Sequence, residues 1–409
     1  MNCRHCANPL RHVFLDLGFA PPSNAYLGSD DLRRPETHYP LKLFVCGRCW
    51  LVQTEDYADA HELFDAKYAY FSSTSSSWLD HAQRFSRAII QQLGLGTRSL
   101  VIEVASNDGY LLRNFVEAHI PCLGIEPTAS TAAAAEALGI PVLRRFFGSE
   151  LARELVAQGQ QADLIVGNNV YAHVPDINDF TLGIRLALKP GGTVTLEFPH
   201  LMRLIEFTQF DTVYHEHFSY LCLATVCRIF AGAGLRVFDV EELPTHGGSL
   251  RVHGCHADDP RTNTERLNAL LAEELRRGLF DLSTYLAFQA RADRVKDDFV
   301  TFLIEQKREG RRVAAYGAAA KGNTLLNYAG IRSDLLSYIC DAAPSKQGRY
   351  TPGTHIPILH PDALLSNTPD VLVILPWNIA HEIRTQLSEI EKRGVLFVVA
   401  VPHIQSPET

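Results

Sequence analysis

The stretch Val101-Ile102-Glu103-Val104-Ala105-Ser106-Asn107-Asp108-Gly109 limits the fold more than any other part of this chain. Short apolar residues lead into a small, polar turn. Helical spacing then resumes over Tyr110-Leu111-Leu112-Arg113-Asn114-Phe115. Strand, tight loop and helix start, in that order, open a nucleotide-binding α/β domain. Gly109 permits a close backbone approach, and the helix start offers free N–H groups to an electron-rich ligand. The loop lacks the three glycines of the dinucleotide fingerprint, and an ordinary α/β turn is its plain alternative. Glu103, acidic at the strand end, suits a cationic ligand better than a pyrophosphate. S-adenosylmethionine, with its positive ammonium and sulfonium, meets that requirement.

The following residues continue the alternation. Residues 122–126 read as a second strand ending in Glu126. An acid there, about twenty residues past the loop, commonly takes both ribose hydroxyls of an adenosine. Residues 129–138 form an alanine-rich helix and residues 142–147 a third strand, whose Phe146 or Phe147 either flanks an adenine or packs in the core. Residues 162–169 make a fourth strand delivering Asn168, Asn169 and His173 to the carboxyl edge, where open α/β sheets bind ligands. Lys189-Pro190-Gly191-Gly192 is a turn before a fifth strand over 193–198. A helix over 223–233 and an antiparallel pair, 235–240 with 248–253, close the domain. A helix over 79–93 precedes it, with Ala82, Phe85, Ala88, Ile89 and Leu93 near one face. This order is that of a class I methyltransferase Rossmann-like domain, so the fold class is α/β. The candidate cofactor residues are Glu103, Ser106, Asn107, Gly109, Glu126 and Asn168.

The N-terminus carries a different signal. Cys3-Arg4-His5-Cys6 and Cys46-Gly47-Arg48-Cys49 are two Cys-x-x-Cys knuckles about forty residues apart. Each presents two sulfurs from one tight turn, with Gly47 supporting the second. Together Cys3, Cys6, Cys46 and Cys49 make a tetrahedral zinc site with no open position, hence structural. His5 is expected to be a spectator, with competition for the metal as its alternative, and a redox pair or free thiols are the alternative for the cysteines. Pro21, Pro22, Pro35 and Pro40 suit a small ribbon-like module that needs a metal staple. No signal peptide pattern precedes it, so a cytoplasmic protein is expected. A net charge of -8 argues against nucleic acid as a partner. No apolar run is long enough to span a bilayer, so no membrane partner is expected. The chain's 409 residues suit two or three domains.

Chemistry concentrates in Asp211-Thr212-Val213-Tyr214-His215-Glu216-His217-Phe218-Ser219-Tyr220. The histidines are two apart, so this is not the zinc-protease pattern, and a metal site lacks an evident third ligand nearby. A proton-transfer cluster fits better: histidine titrates near neutrality, Glu216 can polarise an imidazole, and Tyr214 can donate to an oxyanion. Polar surface ahead of a helix is the bland alternative. Farther on, residues 263–308 read as mainly helical, interrupted near Gly278, with Phe288, Ala292, Val295, Phe299 and Phe302 as a core stripe. Strands over 312–316, 337–341, 370–375 and 395–400 then build a second Rossmann-like sheet. The loop Gly317-Ala318-Ala319-Ala320-Lys321-Gly322-Asn323 enters a helix and suits phosphate oxygens.

With these motifs the chain resembles the bacterial sugar C-methyltransferases that act on nucleotide-linked 4-keto deoxysugars, including the C-3 methyltransferases of deoxysugar antibiotic pathways. The resemblance rests on the four knuckle cysteines, the 103–109 loop and Gly167-Asn168-Asn169-Val170-Tyr171-Ala172-His173. It rests also on the 214–220 cluster, His246-Gly247-Gly248-Ser249-Leu250-Arg251 and Tyr316 with the loop after it. It covers almost the whole chain. It implies S-adenosylmethionine and zinc as cofactors, and a methyl group placed beside a ketone through an enolate, at C3 of a dTDP-linked 4-keto-6-deoxysugar. It implies His217 as base, with Tyr214 and Glu216 tuning it or contacting the keto-enolate, and Tyr68, Asn169 and His173 positioning the sugar. Tyr70, the neighbour that alignment can confuse with Tyr68, is a substrate-side candidate. Further substrate-side candidates are Phe198, His246, Ser249, Arg251 and Gly317. Lys321, Lys346 and Arg349 are candidates for diphosphate contacts, and solvated surface side chains are the alternative for the last two. The expected division is 1–70 zinc module and linker, 71–257 methyltransferase domain, and 258–409 C-terminal domain, in a monomer or small homo-oligomer. An O- or N-methyltransferase on a nucleotide sugar, or a non-catalytic zinc and nucleotide-sugar binding protein, are the alternatives.

Overall fold

The computed structural model describes residues 1–55, 57 and 71–405. Three sheets make up its framework. In the first, β1 (His12–Ala20) pairs antiparallel with β2 (Tyr39–Val45), and β2 with β3 (Val52–Thr54). Leu41, Leu43 and Val45 alternate inward along β2, the period of a half-buried strand. The fourth strand comes from far along the chain: β9 (Ser219–Tyr220) pairs with β3 through Val52–Tyr220 and Gln53–Ser219. Helices Glu265–Arg276, Leu282–Leu286 and Phe288–Arg308 follow one another. They reach this sheet where Phe14 stacks on Phe288, ring centres 4.7 Å apart.

The central sheet contains β4 (Val101–Val104), β5 (Cys122–Ile125), β6 (Val142–Leu143), β7 (Ala162–Asn168), β8 (Leu188–Pro199), β10 (Leu235–Leu243) and β11 (Ser249–His256). Their order is β10-β11-β8-β7-β4-β5-β6. β4 to β8 run parallel, while β11 lies antiparallel to both β8 and β10. All four residues of β4 are buried, as a parallel strand covered on both faces requires. The third expected strand stops at Leu143. Arg144 and Arg145 instead turn outward to Glu136 and Glu154, which ends pairing at this sheet edge. The expected turn at Lys189–Gly192 is absorbed into β8, with Gly191 at φ 76°.

The third sheet is wholly parallel. It holds β12 (Val313–Tyr316), β13 (Ile339–Cys340), β14 (Ile358–Leu359), β15 (Val371–Ile374) and β16 (Leu396–Val398) in the order β14-β13-β12-β15-β16. That is a doubly wound Rossmann order, reversing direction between β12 and β15, where such sheets leave a crevice. Among the described residues no helix is long and apolar enough to cross a membrane.

Candidate active site and metal centre

The knuckles come together. The ligand atoms of Cys3, Cys6, Cys46 and Cys49 lie within 4.8 Å of one another, and Cys3–Cys49 and Cys6–Cys46 sulfurs are 3.5 Å apart. A zinc ion with Zn–S bonds of about 2.3 Å needs tetrahedron edges of about 3.8 Å, so the sulfurs fit it. His5 lies 2.8 Å from Asn178 through Nδ1, consistent with a spectator. The turns close through Ala7 and Trp50, at φ 57° and 66°, which donate to the carbonyls of Cys3 and Cys46. Gly47 does not have the left-handed conformation; Trp50 does.

The loop after β4 is wound through three left-handed residues, Ala105, Asn107 and Gly109. Gly109 has φ 79°, and a Cβ there would stand 2.4 Å from Ile140 Cδ1 and 3.3 Å from the Ala135 backbone, so conformation and packing both favour glycine at this turn. Glu126 lies at the tip of β5 and lines the cavity. Its two oxygens accept the Thr128 and Asn107 backbone N–H groups at 2.8 and 3.0 Å, leaving lone pairs for hydroxyls. Burial raises the proton affinity of Glu103 well above that of an ordinary carboxyl, and Tyr110 opposes this with a hydrogen bond. The Ser106 hydroxyl and both Asn168 amide atoms are buried without partners. Asn168 lines the cavity at the carboxyl edge with its amide unpartnered, and together with Glu126 it fits a ligand bearing an ammonium and an adenosine; Glu103, Ser106 and Gly109 are not among the residues that line the cavity. Phe146 and Phe147 both line the cavity, Phe147 against Phe180. Asn107 and Asp108 also accept the Ser72 and Ser73 N–H groups, each at 3.0 Å, a clasp with no local sequence signal.

Beyond β7 lies the imidazole cluster. Asn169 Nδ2 is 3.1 Å from His246 Nε2. His173 Nδ1 donates to the Glu216 carbonyl at 2.7 Å, which leaves Nε2 as the acceptor. The His217 ring sits 4.5 Å from that of His173 and 4.0 Å from that of Tyr214. Burial, helped by His173 and His246, holds His217 well below its ordinary pKa, so it is a neutral imidazole at neutral pH. Burial takes His173 and His246 to about 4. Burial lifts Glu216 to about 7 against the opposing hydrogen bonds of Asn24, whose Nδ2 lies 3.1 and 3.0 Å from its two oxygens. Sequence reasoning missed Asn24, which sits in the loop after β1.

One cavity of about 1680 Å³ holds Asn107, Glu126, Asn168, Asn169, His173, Tyr214, Glu216 and His217, and with them His246, Arg251, Lys321, Lys346 and Arg349. Other candidates lie apart from it. Phe198 is enclosed in the core against Tyr171. The Ser249 hydroxyl donates to its own turn at Thr245. Gly317 makes room for Pro376, which a Cβ would meet at 2.5 Å. Arg251 borders the cavity, but its guanidinium is engaged by Glu197 and Glu241. Lys321 Nζ donates to Asn378 Oδ1 at 2.5 Å and stands over the Trp377 ring; burial lowers its pKa to about 8. Lys346 donates to the Ala318 carbonyl and faces Asp341. Tyr68 and Tyr70 lie outside the described residues.

A seven-stranded sheet in this order, with Glu126 held at its carboxyl edge, makes the molecule a class I methyltransferase using S-adenosylmethionine, with a structural zinc module at its N-terminus. Residues 3–64 match the family described as putative zinc binding domain, residues 78–240 the methyltransferase domain, and residues 244–402 the C-methyltransferase C-terminal domain. A relative described as C-methyltransferase NovU, from Streptomyces niveus, is 32% identical over 400 residues, covering 98% of this chain and 95% of that protein. The chain therefore belongs to the C-methyltransferase family and is an enzyme that transfers methyl groups to carbon.

Solved structures match only distantly. The 1,6-didemethyltoxoflavin-N1-methyltransferase of Burkholderia thailandensis is 17% identical, with 51% of this chain and 95% of that one covered at TM-score 0.38. A possible histamine N-methyltransferase from Thermotoga maritima is 16% identical, covering 49% and 100% at TM-score 0.36.

Proposed function

We propose that the enzyme methylates the carbon beside the ketone of a nucleotide-linked 4-keto-6-deoxysugar, at C3, by way of an enolate. The observation that supports this reading is the continuity of the cavity. It extends from Glu126, past the His217 imidazole, to Lys346 and Arg349 of the C-terminal unit. A sugar C–H is not nucleophilic, but a neighbouring carbonyl acidifies it. His217, neutral and enclosed, accepts that proton at a ring nitrogen. Tyr214 donates to the oxygen on which charge develops, and burial around the cluster strengthens that bond. His173 and Asn169 orient the ring, and Lys346 and Arg349 hold the diphosphate, thymidine-linked in this reading. S-adenosylmethionine, when bound, supplies the electrophilic methyl group. The residues' remaining task is alignment and the exclusion of water.

The test uses purified protein, labelled methyl donor and a panel of thymidine- and guanosine-linked 4-keto sugars, read by mass spectrometry and NMR. A new C–CH3 group at C3 is expected. A methyl on C5, the ketone's other neighbour, moves the site but keeps the chemistry; a methyl on oxygen or nitrogen rejects it. Solvent deuterium entering at the same carbon without the methyl donor identifies deprotonation as a separate step.

A further inference from the structure

The loop that follows β1 is fastened to a different part of the molecule from the strand it leaves. Asn323 Nδ2 donates to the Ser23 carbonyl at 2.7 Å, and the Tyr26 hydroxyl donates to the Ala318 carbonyl at 2.5 Å. Leu27 and Tyr350 exchange backbone hydrogen bonds of 3.0 and 2.9 Å. Residues 23–27 of the zinc-bearing module are thus pinned against the C-terminal unit, and between the pins Asn24 opens onto the cavity. Its Nδ2 reaches both oxygens of Glu216, a side chain with 3% exposure. Among the described residues no cation pairs with Glu216. Tyr26 and Tyr220 are near it, His173 binds its carbonyl, and His217 is its neighbour in the chain. Asn24 therefore supplies the polar contact that a buried carboxylate requires.

We propose that Asn24 is a positioning residue: it holds the Glu216 carboxylate, and through it the turn carrying Tyr214 and His217, so that the zinc module takes part in turnover as well as in folding. The inference deepens the reading above and rests on it, because Glu216 matters here as a neighbour of the reacting centre. The mechanism is electrostatic and geometric. Two donor contacts favour the ionised carboxylate, against burial, which favours the acid. Without Asn24 the carboxylate keeps its burial and loses its donors.

The experiment uses full-length, zinc-loaded protein. Asn24→Ala is expected to lower kcat by up to about a hundredfold, the cost of a misplaced catalytic turn. Zinc content and affinity for the methyl donor stay as in the wild type. The Glu216 limb of the pH–rate profile moves to higher pH. Asn24→Asp sets carboxylate against carboxylate and should regain activity as the pH falls and the pair takes up one proton. In a Glu216→Gln background, Asn24→Ala should cost little more. A kcat within twofold of wild type with an unmoved limb, or losses that simply multiply, would overturn the proposal. Carboxyl 13C NMR, with the Glu216 resonance assigned by its absence in Glu216→Gln, reads the same titration without substrate. An unchanged midpoint in Asn24→Ala rejects the role of Asn24. A wild type inert toward every keto sugar, but with the midpoint shifted in the variant, rejects the assigned reaction instead.

Discussion

Glu197 and Arg251 face each other across neighbouring strands of the central sheet, and their side chains meet at 2.7 Å in the buried interior. The same carboxylate receives His81 at 2.9 Å and Thr245 at 3.1 Å, while the Arg251 guanidinium lies 4.2 Å from the Phe85 ring centre. Burial pushes Glu197 toward the neutral acid, yet His81 and Arg251 hold it below its ordinary pKa. Arg251→Leu leaves that charge buried without its guanidinium, so a loss of about 3–5 kcal/mol in unfolding free energy is expected. Arg251→Lys should recover only part of it, because an ammonium does not reproduce the planar, stacked contact. Urea titration of the three proteins measures both effects; equal midpoints would remove the pair from the account of stability.

His217→Asn keeps side-chain polarity but removes the imidazole. Turnover should fall by about a hundredfold or more, the usual contribution of a placed general base. Calorimetry should find affinity for the methyl donor unaltered, because the donor edge is built from β4, β5 and β7.

Glu216 supplies a pH dependence with a definite sign. Its folded pKa is raised to about 7 from 4.5, so the folded protein keeps this proton where the unfolded chain has lost it. Stability from this group is therefore full below about 4.5 and declines as pH rises, levelling above about 7. Glu216→Gln imitates the protonated form. It should be more stable than wild type by about 3 kcal/mol at pH 8, with the difference closing near pH 4. Unfolding curves at the two pH values decide the matter.

Glu126→Ala should weaken S-adenosylmethionine binding by about 1.5–3 kcal/mol, the range for hydrogen bonds to a charged group. Zinc content should not change. Equilibrium dialysis with labelled donor would expose an unaffected affinity.

Exhaustive chelation should remove the zinc and destabilise the N-terminal sheet, because four thiolates otherwise share one small volume. Thermal melts with and without added zinc test this.

Much of the framework could be read from the chain because its signals are local. The 101–109 run announces its strand and turn, and Glu126 follows at the spacing that the second strand tip imposes. The knuckles state their chemistry in four letters each. Other features are set by contacts between distant residues. Gly109 answers to Ile140, Gly317 to Pro376, and Arg251 to Glu197. Phe198 ends the unbroken buried run Gly192–Phe198 of β8. Periodicity assigns a side chain to a face but does not name its partner there. Asn24 in particular is separated from Glu216 by 192 positions, and nothing beside it in sequence marks the meeting.

Only one residue, Phe218, separates His217 from β9, and β9 is the last rung of the ladder begun by β1. Grafting the central sheet alone onto another protein would leave the proposed proton acceptor on a loose thread. The small cysteine-bearing lobe and the large one therefore act as a pair, and a chimera that exchanges only one of them is expected to lose turnover.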